Sequence, residues 1–392
     1  MQIIQATFGT FHHFDLAREL KSRGHLKHIY STYPWFRLQR EGLPHTLVST
    51  FPWIHTLQLG LAGYVALPQK VFHFMSVANA ETFDSWVSQK LTPCDVFIAI
   101  SGAGTKSGKR AQSLGAKYIC DRGSTHIRFQ HEILLEEYRR WKIDRIPVPP
   151  QGLEREEAEY ANSDAITIPS EFCRKTFIQM GVPAEKIHKI PYGVRLELFH
   201  PVVAPSQNTF QVLFVGQISF RKGIPYLLEA FRRLRHPKKR LKIVGSLIPE
   251  FKPFLSTQDL ENVEILGVMP QVRLKEVMSA SHVLVTPSIE EGLALVQGQA
   301  MACGCPLIST TNSGAEDLIT NEKEGFIVPA RDPQAITDRL QQFADDPELQ
   351  QRMGHAALER TKMMGGWHQY GENYTSLLKN LCGQSNLQEV RT

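Results

Sequence analysis

The feature that most limits what this chain can become is a recurring unit: a short β-branched run, a glycine-containing turn, then a segment with helical spacing. Met1-Gln-Ile-Ile-Gln-Ala6, Asp95-Val-Phe-Ile-Ala-Ile100, Lys117-Tyr-Ile-Cys120, Phe210-Gln-Val-Leu-Phe-Val-Gly216, Leu241-Lys-Ile-Val-Gly245, Val263-Glu-Ile-Leu-Gly267, His282-Val-Leu-Val-Thr286 and Pro306-Leu-Ile-Ser309 all read this way. Short apolar runs between turn signals are strands buried on both faces, and strands that alternate with helices build parallel sheets. At 392 residues the chain is too long for one ordinary core. The expectation is an α/β protein with two doubly wound, Rossmann-like parallel-sheet domains facing a central cleft. A Pro- and polar-rich stretch from Phe199 to Asn208 reads as the linker, which gives domains over 1–200 and 201–365.

Composition excludes several classes. With 42% hydrophobic and 21% charged residues the chain is globular rather than disordered. A formal charge of +5 suits anionic substrates and falls short of a nucleic-acid signature, so no nucleic-acid partner is expected. The six cysteines show neither CxxC nor Cys/His metal spacing, and reduced thiols in a cytoplasmic setting follow. The N-terminus starts directly as a strand and lacks the parts of a secretory signal. The most apolar region, about 47–77, is interrupted by Pro52, His55, Gln58, Pro68, Gln69, Lys70 and His73 and does not read as a membrane span. Aromatic residues crowd 31–90 at helical spacing. They read first as helices burying apolar faces, with a peripheral contact to an anionic inner membrane face as the alternative. The polar last ten residues read as loose.

Chemistry concentrates at turns after strands. In Pro287-Ser-Ile-Glu-Glu-Gly-Leu-Ala-Leu-Val-Gln-Gly-Gln-Ala-Met-Ala-Cys-Gly-Cys-Pro306, Glu290 and Glu291 sit at a strand's carboxyl end. Gly292 allows close backbone approach, and a helix from Leu293 to Ala302 offers free N–H groups to an anion. That combination fits a phosphorylated, hydroxyl-rich ligand. Gln217-Ile-Ser-Phe-Arg-Lys-Gly223 places Arg221 and Lys222 beside Gly223 after another strand. In the first half, Ala6-Thr-Phe-Gly-Thr-Phe-His-His13 carries Gly9, His12 and His13, with Gly9 either a ligand approach or a tight turn. Ser101-Gly-Ala-Gly-Thr-Lys-Ser-Gly-Lys-Arg110 fails the phosphate-loop spacing at Ala103 and Arg110. Gly9 stands alone without G-x-G-x-x-G, which argues against a dinucleotide enzyme. Asp121-Arg-Gly-Ser-Thr-His126 closes a strand with three polar candidates, His126 being either a ligand group or a helix cap.

The block at 287–306 resembles the nucleotide-sugar site of family 4 glycosyltransferases, through Pro287, Ser288, Glu291, Gly292, Leu295, Ala300, Ala302, Gly304 and Pro306. Ala294 replaces a glycine of that pattern and Gln299 its second glutamate. Segments 161–171 and 181–194, the Lys222-Gly223 pair and the turn Ser313-Gly-Ala-Glu-Asp317 are also similar, with Gln217 in place of an arginine and Arg221 as a substitute cation. The resemblance implies the two-domain GT-B fold and retaining hexose transfer from a UDP-, GDP- or ADP-linked donor to a hydroxyl acceptor. It implies a diphosphate held by Arg221, Lys222, Gly223 and Gln217, and donor sugar and ribose against Glu291, Gly292, Leu293, Ala294, Leu295, Gln299 and Glu316. Gly9, His12 and His13 become an acceptor-side loop, and 366–392 a C-terminal helix crossing back to the first domain. His126, Asp121 and Arg122 compete for the place nearest the reacting carbon, with His126 preferred and Glu291 as its acidic counterpart. The chain has no D-x-D, so neither metal nor cofactor is expected. The alternatives are a degenerate nucleotide-sugar-binding or regulatory protein, motivated by Gln217 and Gln299, and an epimerase or hydrolase on the same scaffold.

Overall fold

A computed structural model describes residues 1–64 and 68–383, apart from the side chains of 59 and 61–64. The reading of the last ten residues as loose falls, but for Gly383, outside these. Among the described residues, β1 (Ile3–Thr7), β2 (Leu26–Ser31), β3 (Val48–Thr50), β4 (Val96–Ile100), β5 (Lys117–Asp121), β6 (Ala165–Ile168) and β7 (Ile187–Lys189) form one parallel sheet in the order 3-2-1-4-5-6-7. A second parallel sheet contains β8 (Phe210–Val215), β9 (Lys239–Val244), β10 (Val263–Gly267), β11 (Val283–Thr286), β12 (Leu307–Thr310) and β13 (Gly325–Val328), in the order 10-9-8-11-12-13. β4, β8 and β11 are apolar along their whole length, or nearly so, because helices cover both faces of each sheet. The helix Ile224–Arg233 shows how the pattern works: Ile224, Leu227, Leu228 and Phe231 are buried, and Pro225 sits in the first turn, where its missing N–H costs nothing.

Both strand orders reverse beside their first strand, between β1 and β4 and between β8 and β11. Connections leave in opposite directions there, so each sheet opens a crevice at its carboxyl edge. In region 31–90 the reading of helices that bury their apolar faces holds for some residues and not for others. On the helix Gln69–Lys90, Phe83 and Val87 are buried, whereas Phe36, Trp53, Leu57 and Phe74 are more than half exposed.

The helix Gly366–Leu381 packs against the helix His13–Ser22 of the first lobe. Its Tyr370, Tyr374 and Leu378 join Ile3, Leu16 and Leu20 in one apolar cluster. The Tyr374 hydroxyl lies 3.0 Å from Thr167 Oγ1.

The lobes meet through buried polar contacts. Glu290 of the second lobe has no exposed surface; its carboxylate accepts from Ser124 Oγ and Thr125 Oγ1 at 2.6 Å and from Gln130 Nε2 at 2.8 Å, all in the first lobe. Arg221 Nε adds a contact at 2.8 Å. Elsewhere Asp317 accepts from the backbone N–H of Glu171 at 2.6 Å and pairs with Lys189 at 2.7 Å, while Arg331 reaches Glu137 at 2.7 Å.

Removing the hydroxyl in Tyr374→Phe should cost about 1 kcal/mol, and Tyr374→Ala about 3–5 kcal/mol, read from urea midpoints at unchanged slope. Acid should unfold the chain through two carboxylates. Burial alone would raise Glu290 above its ordinary 4.5, but Arg221 and the hydroxyl donors hold it at about 2; burial would likewise raise Asp121, and His12 hardest of all holds it at about 2. A depressed carboxyl contributes fully above its unfolded value and loses that contribution as pH falls through the folded one, so stability should drop between about pH 5 and pH 2. Urea melts across that range check this, and Glu290→Gln should make the fall shallower.

Candidate active site

The turn after β8 and the turn after β11 lie side by side. Gly223 has φ +70°, and a β-carbon there would run into the carbonyl oxygen of Pro287, so the two turns touch only because this residue has no side chain. The contact brings four charged groups into one place. Arg221 pairs with Glu290, and Lys222 pairs with Glu291. Burial, and after it the neighbouring Arg221, push the Lys222 ammonium down to about 7; the Glu290 carboxylate pulls the other way. Arg221 also faces a cavity of about 790 Å³ between the lobes, lined with Gln217 and Ser219 from the same turn and with Gln130, Tyr138 and Glu250.

Gly292 has a different neighbour from the ligand the sequence suggests. A β-carbon on it would strike the carbonyl of Gly123 in the first lobe, and its own carbonyl accepts from Ser170 Oγ at 2.6 Å. The close approach is therefore between lobes. Leu293 and Ala294 are buried, and the helix begins at Leu295, two residues later than the spacing suggests. Its first turn lies against Tyr192, Gly193 and Val194 of the first lobe. Gln299 is partly buried on that helix, while Gln297 on the same helix is wholly buried and donates to the carbonyl of Ser313 at 2.9 Å. Glu316 is exposed and pairs at 3.1 Å with Lys175 of the first lobe.

On the first-lobe side the structure selects among the alternatives. His126 is the N-cap of the helix Ile127–Arg140, its Nδ1 accepting from the backbone N–H of Arg128 at 3.2 Å. The ring packs on Tyr160 and Phe177, and burial pushes its pKa down to about 4. It is 3% exposed, so the preferred site residue of the sequence reading acts here as a cap. Arg122 is held by Glu156 at 2.7 Å and by Gln130 Oε1 at 2.8 Å. Gly9 is a tight turn at φ +69°, its N–H bonded to Thr32 Oγ1 at 3.0 Å. The N–H groups of the glycine-rich turn after β4 are already taken: Gly102 and Gly104 donate to the Glu159 carboxyl, which burial pushes up to about 7, at 2.7 and 2.9 Å.

Asp121, at the end of β5, accepts from His12 Nε2 and from Thr167 Oγ1, each at 2.5 Å, and lies 3.1 Å from His13 Nε2. Sequence reading placed these residues in separate groups, because nothing in their spacing shows that the ends of β1 and β5 meet. Among the described residues, His12, His13 and Asp121 are the group whose ligand atoms lie close enough, within 4.8 Å, to hold a metal ion. A separation of 2.5 Å is that of a hydrogen bond; two ligands about one tetrahedral zinc stand roughly 3.3 Å apart. Within the group, His12 and Asp121 are hydrogen-bonded, whereas neither ring nitrogen of the buried His13 has a hydrogen-bond partner among the described residues. The interlobe partners of Glu290, namely Ser124, Thr125 and Gln130, also escaped sequence reading, since they depend on how the lobes dock.

Residues 197–360 match the family model for glycosyl transferases group 1. The chain is 30% identical over 186 residues to the putative colanic acid biosynthesis glycosyltransferase WcaL of Escherichia coli, covering 44% of this chain and 46% of that protein. It is 27% identical over 245 residues to the D-inositol 3-phosphate glycosyltransferase of Kribbella flavida, covering 57% and 58% respectively. The chain thus spans about half the length of the curated relatives it matches. Whole-chain similarity appears in solved structures. The sucrose-phosphate synthase of Thermosynechococcus elongatus aligns over 98% of this chain and all of its own with a TM-score of 0.71 at 20% identity. Anabaena HepE in complex with UDP aligns over 97% of this chain and all of its own, with a TM-score of 0.71 at 15% identity. The two-lobed architecture is the GT-B fold, and the residues that match the model for glycosyl transferases group 1 lie in and around its second lobe.

Proposed function

We propose that the chain is a glycosyltransferase that moves a hexose from a nucleotide-diphosphate donor to a hydroxyl acceptor, with retention and without metal. The observation that supports this reading is the pairing of Arg221 and Lys222 with Glu290 and Glu291 at the switch point of the second sheet, beside a cavity between the lobes. Breaking the anomeric bond leaves a diphosphate anion and an oxocarbenium-like sugar, so fixed positive charge is needed at one end and acidic groups at the other. Lys222 and Arg221 supply the first. Glu291 supplies the second once a diphosphate has taken Lys222 from it. HepE in a UDP-glucose complex shares this fold, which favours a nucleotide sugar as the partner here.

The exposed aromatic residues of the first lobe favour a further partner. Phe36, Trp53 and Leu57 surround an apolar groove of about 520 Å³, Phe74 projects from the helix Gln69–Lys90, and Arg40 and Lys70 are exposed nearby in sequence. No described helix is long and apolar enough to cross a membrane. Apolar side chains beside cations fit a peripheral seat on anionic lipid.

Titration calorimetry with UDP, GDP and ADP should show binding of one of them, and Lys222→Ala should weaken it about 10- to 100-fold, the worth of one charge-assisted hydrogen bond. Glu291→Gln should lower turnover of the corresponding sugar nucleotide far more than nucleotide affinity. If a nucleotide binds while no donor is turned over with any hydroxyl acceptor, the protein is a binding partner rather than a transferase. The double variant Trp53→Ala, Phe74→Ala should reduce co-sedimentation with phosphatidylglycerol vesicles while leaving nucleotide affinity unchanged.

A further inference from the structure

The turn that carries Arg221 and Lys222 is anchored by the residue just before them, and part of that anchor comes from the opposite lobe. Phe220 is 2% exposed. The centroid of its ring lies 4.6 Å from that of Phe251 and 5.4 Å from that of Phe254, both of the second lobe, and 5.8 Å from that of Trp141, which the first lobe supplies. Trp141 directly follows the helix Ile127–Arg140, and its ring also meets Phe254 edge-on at 5.1 Å and Tyr226 at 6.0 Å. Aromatic pairs at these separations prefer tilted and edge-on arrangements, so the surrounding rings fix where Phe220 sits.

Trp141 is itself held in place. Its Nε1–H donates to Glu137 Oε1 at 2.7 Å, one helical turn back. Glu137 has no exposed surface and also accepts from the Tyr226 hydroxyl at 2.9 Å and from Arg331 Nε at 2.7 Å, both in the second lobe. A carboxylate so removed from water keeps its donors, because each one lost leaves a buried acceptor uncompensated. Immediately after Trp141 the helix is closed off: Lys142 takes the left-handed φ of +55°, and Ile143 N–H donates to the Tyr138 carbonyl at 2.8 Å. Arg145 then pairs at 2.5 Å with Glu250, the neighbour of Phe251 in the chain. The first lobe therefore grips the ring cluster at two points.

The backbone that leaves Phe220 is that of the turn. Gly223 N–H donates to the Phe220 carbonyl at 2.9 Å, and the Arg221 carbonyl accepts from Ile289 N–H at 2.9 Å. Over residues 217–223, Ile218 and Phe220 are the buried apolar side chains, and Phe220 is the one that adjoins Arg221. Displacing its ring therefore displaces the two cations that follow it.

We propose that Trp141 is a positioning residue for the diphosphate: packed on Phe220 across the lobe boundary, it sets the direction in which Arg221 and Lys222 leave their turn, so that the hold on a diphosphate depends on an indole from the opposite lobe. The inference rests on the reading of this turn as the diphosphate site. Trp141 acts through Phe220 rather than by touching the donor. Coupling between two places works in both directions, so a diphosphate on the turn alters the surroundings of the indole.

The test uses the full chain. Titration calorimetry with UDP, GDP and ADP identifies the nucleotide, and the matching nucleoside monophosphate isolates what the second phosphate adds. In Trp141→Ala the preference for diphosphate over monophosphate should shrink about tenfold, with monophosphate affinity within about threefold of the parent, and Trp141→Phe, which keeps an aromatic face, should retain most of the preference. An indole with a merely structural role would lower both affinities together or neither. In the parent labelled with fluorotryptophan, the fluorine resonance that Trp141→Phe removes belongs to Trp141, and it should move when the diphosphate binds. An undiminished preference in Trp141→Ala overturns the proposal, and so does a Trp141 resonance that stays in place at saturating diphosphate. If Trp141→Ala does not fold, the parent's resonance decides. A parent that binds none of the three nucleotides, or binds the monophosphate as tightly, defeats the diphosphate reading and this inference with it, whereas a parent that prefers the diphosphate regardless of Trp141 defeats this inference alone.

Discussion

The burial of one carboxylate governs how the halves of this molecule sit together. Glu290 is wholly removed from water, and an ionised group so placed is tolerated only with a full set of donors. Those donors come from both sides: Ser124, Thr125 and Gln130 from the first lobe, Arg221 from the second. Sliding one lobe over the other would strip three of the four. The docking is thereby defined by direction as well as by apolar contact, which spreads over many residues and has no direction of its own. Gly123 and Gly292 make the arrangement feasible, since any side chain at the second would hold the lobes apart.

The charges at the cleft are balanced within the protein. Arg221 and Lys222 lie against carboxylates, and a ligand that engages them must replace an existing ion pair rather than fill an empty one. Exchange of this kind favours ligands that carry at least as much negative charge as they displace, so a diphosphate competes well and a neutral sugar does not. The turn after β4 carries the same logic to completion: Glu159 occupies its N–H groups and leaves no place for an external anion.

Much of the architecture could be read from the chain because buried parallel strands are written as apolar runs, and β4, β8 and β11 appear where those runs fall. The grouping of 221–223 with Glu291 was likewise legible, through the resemblance of both turns to parts of one nucleotide-sugar site, and β8 and β11, which they follow, lie adjacent at the switch point. Contacts across the cleft were not. That His126 caps a helix while Asp121 binds His12 depends on side-chain direction at the end of one strand, where neighbouring positions point opposite ways. The role of Glu290 is invisible in the same manner. Beside Glu291 it looks like the other half of a ligand pair, and only the docking of Ser124 and Thr125 shows that it belongs to the interface.

The return of the last described helix to the first lobe has a consequence for how the protein is made. Ile3, Leu16 and Leu20 are covered by Tyr370, Tyr374 and Leu378, residues that leave the ribosome some 350 positions later. Until then the apolar surface made by these residues lacks the cover that Tyr370, Tyr374 and Leu378 give it. The half of the molecule that is synthesised first is the last to be completed.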